Sequence, residues 1–101
     1  MGRIRRPHPK RLAVKLRAIR ESRNISQKQL IHLLDYHESV LRQGHISEFE
    51  RGKREPNLLV LLQYARKAKV SLEKLLDDEQ DLPGLRALTR LLEREIKSRS
   101  K

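Results

Sequence analysis

At 101 residues and a formal charge of +11, the chain is the size of one domain with a small core. It has no cysteine, which excludes disulfides and Cys-based zinc sites, and no apolar run near the ~18 residues of a membrane span. Aromatic residues make up 3% and Val and Thr are scarce, so leucine at helical spacing dominates and the expected fold is all-α.

The charge is unevenly placed. Residues 1–24 hold nine Lys/Arg against one acid, and residues 82–101 hold six against two, while the middle is close to neutral. A basic excess at both ends favours phosphate backbones, with an affinity that falls steeply with salt. A soluble protein with charged tails shares this pattern, so charge alone does not select DNA over RNA or a membrane surface.

Residues 1–9 contain two prolines and three arginines without apolar periodicity, and read as a flexible basic arm, either solvated or lying along a DNA groove. No continuous apolar segment follows, so this is not read as a signal peptide, and a cytoplasmic location is expected. Helix one is expected from Lys10 to Arg23, with Leu12, Leu16 and Ile19 facing the core, Lys15, Arg17 and Arg23 leaving on other sides, and Asn24 as a stop. Ser26 and Gln29 have the spacing of a capping box and open helix two, Gln27 to Leu34. Asp35 to Leu41 follows, as an irregular loop or an extra helical turn, with Val40 and Leu41 able to tuck under the fold.

Helix three is expected from Gln43 to Arg51. Gly44 implies either a close approach or an N-terminal position, and Gly52 suits the left-handed residue that ends a helix. Pro56 is expected in the first turn of helix four, which runs from Asn57 to Lys69 with Leu58, Leu61, Leu62 and Ala65 as its stripe. Ser71 caps a short fifth helix, Leu72 to Leu76, ahead of the acidic run Asp77, Asp78, Glu79 and Asp81. Pro83 and Gly84 precede a last helix, Leu85 to Lys97, whose apolar face of Leu85, Leu88, Leu92 and Ile96 either docks on its own domain or pairs with a second copy. Pairing is the expectation. The division is thus an arm (1–9), a helical domain (10–78), and a linker with a helix available for dimerisation (79–101).

The run Ile46, Ser47, Phe49, Glu50, Arg51, Gly52, Arg54 and Pro56, with LRAIRESRNISQKQL before it and VSLEKLL after it, resembles the lambda-repressor and Cro-type helix-turn-helix family, often called the XRE family. The resemblance spans Leu16 to Leu76 and implies a compact five-helix bundle, with the last helix an addition. The chain departs from the family in carrying Ile31 where a small residue is usual, Asp35 where glycine is usual, and a longer turn before Ile46.

What the resemblance implies is a sequence-specific binder of double-stranded DNA, a transcriptional repressor acting as a homodimer on an operator with two-fold symmetry. Helix three would be the recognition helix, with Gln43, Gly44, His45, Ser47 and Glu48 at the base edges. Gln27, Lys28, Arg42, Arg51, Lys53 and Arg54 would hold phosphates. Arg20 and Glu50 would form a buried ion pair tying helix one to helix three. No cofactor is implied. The main alternative is a protein-binding role on the same fold, such as an antitoxin holding a toxin with or without DNA; a scaffold whose long turn has abolished DNA binding is a third.

Other chemistry finds little support. His8, His32, His37 and His45 lack the spacing and the further ligands of a zinc site. The acidic run lacks the glycine turn of a calcium loop and reads as solvated. No nucleophile motif or phosphate loop is present, so the protein is not expected to be an enzyme.

Overall fold

A computed structural model describes residues 9–99, and among these it contains six helices and no strand. They are α1 (Leu12–Ser22), α2 (Gln27–Leu34), α3 (Gln43–Glu50), α4 (Leu58–Ala68), α5 (Leu72–Leu76) and α6 (Arg86–Arg99). The arm, apart from Pro9, and His8 within it lie outside the described residues.

The main core is shared by the first five helices. Leu12, Leu16 and Ile19 of α1 meet Leu30 and Leu34 of α2, Ile46 and Phe49 of α3, Val60, Leu61, Tyr64 and Ala65 of α4, and Leu75 of α5. The α4 stripe differs from expectation. Leu58 is exposed, and Val60 and Tyr64 are buried in its place beside Leu61 and Ala65. Reading leucines alone passes over tyrosine, whose ring contributes the larger apolar surface. Asn57 is the N-cap, its Oδ1 accepting the Val60 N–H at 2.9 Å. Pro56 therefore sits before the cap, not in the first turn of α4.

α1 is buried on two sides, and this overturns the expectation for Lys15. Its side chain does not leave toward solvent: Lys15 is fully buried, and Nζ donates to the carbonyl oxygens of Lys74 and Asp77, each at 2.8 Å. These carbonyls belong to the C-terminal end of α5, where helical acceptors lack intrahelical donors and a cation is favoured. Burial pushes the ammonium pKa down, with the nearby Arg11 adding to the shift. The residues leading into α1 are held from a distance. Asp78 accepts from the backbone N–H of Lys10 at 2.9 Å and of Arg11 at 3.0 Å.

The acidic run is accordingly a structural junction, not the solvated loop expected. Arg11 donates to Asp81 at 2.6 Å and to Glu93 at 2.8 Å, joining α1, the linker and α6. Arg90 adds a contact to Asp81 at 3.3 Å. These carboxylates hold the Arg11 guanidinium above its usual range, Glu93 contributing most, and Arg11 holds the Asp81 carboxyl below the usual carboxylate range.

The face of α6 expected to pair with a second copy is in large part used inside the chain. Leu92 is buried against Val14 and Ala18 of α1, Leu88 packs at the edge of that cluster, and Leu85 packs against the main core. Of the four residues only Ile96 is exposed, at 43%. The reason is that α1 carries a second apolar stripe, Val14 and Ala18, four apart on the side away from Leu16.

Candidate nucleic-acid interface

The helix-turn-helix begins at a fully formed capping box. Ser26 Oγ accepts the Gln29 N–H at 3.1 Å, and Gln29 Oε1 accepts the Ser26 N–H at 2.8 Å. α2 ends at Asp35, which takes the left-handed conformation at φ 52°, a region that aspartate enters more readily than most residues. Gln63 of α4 donates Nε2 to the terminal carbonyl of Leu34 at 2.6 Å, closing the helix end. The residues from Asp35 to Arg42 form an irregular connection with no extra helical turn. Tyr36 and Leu41 pack on the core while Val40 stays 70% exposed, so only one of the two residues expected to tuck does so. Asn57 Nδ2 donates to the Tyr36 hydroxyl at 3.1 Å, which tethers the enlarged turn to the start of α4.

α3 divides cleanly into two faces. Ile46, Phe49 and Glu50 are buried, whereas Gln43 and Gly44 are exposed and His45, Ser47 and Glu48 are half-buried. A Cβ at Gly44 would meet nothing within 4 Å, so the glycine marks no close approach; it stands in the first turn, open to whatever lies across from it. His45 closes the N-terminus. Its Nδ1 accepts the Arg42 N–H at 3.1 Å, so the ring hydrogen resides on Nε2 in this arrangement.

At the other end Gly52, at φ 72°, turns the chain back. The Gly52 N–H donates to the Phe49 carbonyl at 3.3 Å and the Lys53 N–H to the Glu48 carbonyl at 2.9 Å, the paired bonds of a Schellman motif. A side chain at Gly52 would have to adopt that left-handed backbone, which is why the motif carries glycine there.

The attachment of α3 to the bundle is electrostatic as well as apolar. Arg20 donates Nε to Glu50 Oε2 at 2.7 Å and Nη2 to Oε1 at 3.0 Å, a bidentate pair, and Nη1 to the Ile25 carbonyl at 2.9 Å. The side chains are 15% and 4% exposed. Glu50 holds the Arg20 guanidinium above its usual range. Gln27 donates Nε2 to Glu50 Oε1 at 3.2 Å. The residue expected to hold a phosphate is thus also a partner of the buried carboxylate.

Among the other expected phosphate contacts, Lys28, Arg42, Arg51, Lys53 and Arg54 are all exposed, and the last four flank the two ends of α3. Arg51 Nε rests on Ser47 Oγ at 3.2 Å. Arg54 Nε donates to Glu48 Oε1 at 2.7 Å, so a residue expected to hold phosphate and one expected to read bases are paired with each other. Arg54 holds the Glu48 carboxyl below the usual carboxylate range. Reading the sequence missed this contact, although a glutamate and an arginine six apart across a helix-ending glycine are a usable signal for it. No group of three or more His, Asp or Glu able to hold a metal ion occurs among the described residues, and none of their helices is long and apolar enough to cross a membrane.

A helix-turn-helix family model matches residues 16–75, which begins in α1 and ends in α5. No curated protein and no solved structure matches the chain. The match covers more than half of the sequence and has α2, the enlarged turn and α3 at its centre, so this protein belongs to the XRE family of DNA-binding helix-turn-helix domains.

Proposed function

We propose that the protein is a sequence-specific regulator of transcription, acting as a repressor, that places α3 in the major groove of double-stranded DNA. The observation that carries this reading is the free face of α3. It presents only polar or small side chains, it is flanked by Arg42 on one end and Arg51, Lys53 and Arg54 on the other, and its opposite face is locked to the core by Ile46, Phe49 and Glu50. A rigidly held helix with a polar face and cations at both ends meets the two requirements of groove reading: phosphate contacts set its position, and side chains at the base edges set the sequence.

Gln43 stands first on that helix. An amide there can bond bidentately to adenine, a contact that discriminates by ~1–3 kcal/mol. Gly44, His45 and Ser47 are the other residues proposed at the base edges. Gln27, Lys28, Arg42, Arg51 and Lys53 supply the phosphate contacts, with Gln27 remaining near Glu50. The acting species is proposed to be a homodimer reading half-sites about one helical turn (~34 Å) apart. Its contact would use what remains exposed of the expected face of α6, Ile96, in place of the buried Leu92.

Footprinting on the DNA upstream of the protein's own gene tests the reading, comparing wild type with Gln43→Ala/Arg51→Ala. A protected site at moderate salt that the double variant loses is expected. No protected site for the wild type, or equal protection by the variant, overturns it. For the dimer, Ile96→Glu is expected to halve the number of protomers that sediment with each duplex; an unchanged number rules out this contact.

A further inference from the structure

The exit loop after α3 holds an arrangement that neither a simple phosphate clamp nor a lone acidic base reader explains. Glu48 shares the free face of α3 with Gly44, His45 and Arg51, at steps of three and four residues. Arg54 is fastened to it twice. Its backbone N–H donates to the Glu48 carbonyl at 3.3 Å, beside the Lys53 bond to the same oxygen, and its side-chain Nε donates to the Glu48 carboxylate at 2.7 Å. The terminal amino groups of Arg54 donate to nothing among the described residues.

An unaccompanied carboxylate on this face would be repelled by the phosphates lining a groove. Held by Arg54, it is neutralised. Conversely, an arginine paired with a carboxylate has little net charge left for a phosphate. What it keeps is the far edge of the guanidinium, which carries parallel N–H donors matching the O6 and N7 acceptors of guanine. The pair is open to solvent in the free protein, so water competes with it; water excluded from a groove would compete less.

We propose that Glu48 and Arg54 form one recognition unit, in which Glu48 is a positioning residue and Arg54 reads a guanine from its major-groove edge. This rests on the proposed entry of α3 into the groove, and it assigns to the unit a base preference that neither residue has alone.

The test is selection from a randomised duplex library by wild type, Glu48→Ala, Glu48→Gln, Arg54→Ala and Glu48→Ala/Arg54→Ala. Affinities are then measured over a range of salt on the duplex the wild type selects and on its guanine-to-adenine change. Wild type is expected to prefer guanine at one position per half-site, roughly 5–150-fold. Arg54→Ala abolishes that preference. Glu48→Ala abolishes it too, although the arginine remains, and it steepens the salt slope by about 0.9 because the arginine charge is freed for a phosphate. Glu48→Gln, which keeps an acceptor oxygen for Nε, retains part of the preference, and the double variant discriminates no worse than Arg54→Ala.

The inference is overturned if Arg54→Ala weakens all duplexes alike and flattens the slope by about 0.9, the behaviour of a phosphate clamp. It is equally overturned if Glu48→Ala leaves the guanine preference intact. A selected sequence with independent effects of the two variants removes only this pairing. If wild type selects no sequence, the groove reading itself fails and takes the unit with it.

Discussion

Replacing Arg20 with methionine removes the tie between α1 and α3 while keeping much of the side-chain volume. Three hydrogen bonds go: two to the Glu50 carboxylate and one to the Ile25 carbonyl. The larger cost is what stays behind. Glu50 is only 4% exposed at its side chain, and its remaining side-chain donor among the described residues is the neutral amide of Gln27 at 3.2 Å. Breaking a buried pair by removing one partner costs ~3–5 kcal/mol, because the stranded charge keeps its desolvation penalty. In a domain of this size that lowers the thermal midpoint by roughly 15–30 °C, a large part of a total stability of ~5–15 kcal/mol. Thermal unfolding by circular dichroism measures it, with Arg20→Met/Glu50→Leu as the companion. The double variant strands no charge and is expected to recover most of the loss. If Arg20→Met melts within two or three degrees of wild type (roughly the effect of an exposed pair), the reasoning from burial is refuted.

Leu92→Ala is expected to cost ~2–5 kcal/mol in denaturant unfolding, since Leu92 fills the cluster with Val14 and Ala18; a change well under 1 kcal/mol would mean that α6 is not docked on α1. Tyr64→Phe is expected to be neutral or to stabilise by about 1 kcal/mol, because the buried Tyr64 hydroxyl has no hydrogen-bond partner among the described residues. A clear loss of stability would show that the hydroxyl is bonded after all. Acid lowers stability through the junction at Asp81. Its folded-state pKa is depressed below the ordinary value of 3.8 by Arg11 and then Arg90, so the stabilisation is present above that value and is lost as pH falls through the folded-state pKa. The thermal midpoint is therefore expected to fall below about pH 4, and Asp81→Asn to flatten that fall; an identical acid profile in the variant would remove Asp81 as the cause.

Much of this molecule can be read along the chain because its signals are local. The capping box at Ser26 and Gln29, the left-handed stop at Asn24 and the glycine after α3 each depend on residues within one or two helical turns. The family motif from Ile46 to Pro56 is equally local and identifies the fold. Several of the readings that failed involved partners far along the chain. Lys15 was expected at the surface because its neighbours in sequence give no hint of the carbonyls of Lys74 and Asp77 that receive it. Leu58 was expected to be buried, and Val40 to tuck beside Leu41, because spacing cannot say how far a helix or turn is rotated about its axis; Val60 and Tyr64 are buried where Leu58 was expected, and of the turn residues only Leu41 packs.

The sequence by itself determined the class, six helices with the helix-turn-helix among them, because helix spacing, caps and stops are properties of short segments. Only the tertiary structure decided how the surplus polar and apolar groups are used. It turned the acidic run into a junction for Arg11, packed Leu92 of α6 on Val14 and Ala18, and brought Arg54 back onto Glu48. These outcomes depend on which surfaces meet when the helices close on one core, and burial then sets the cost of every charge left without a partner.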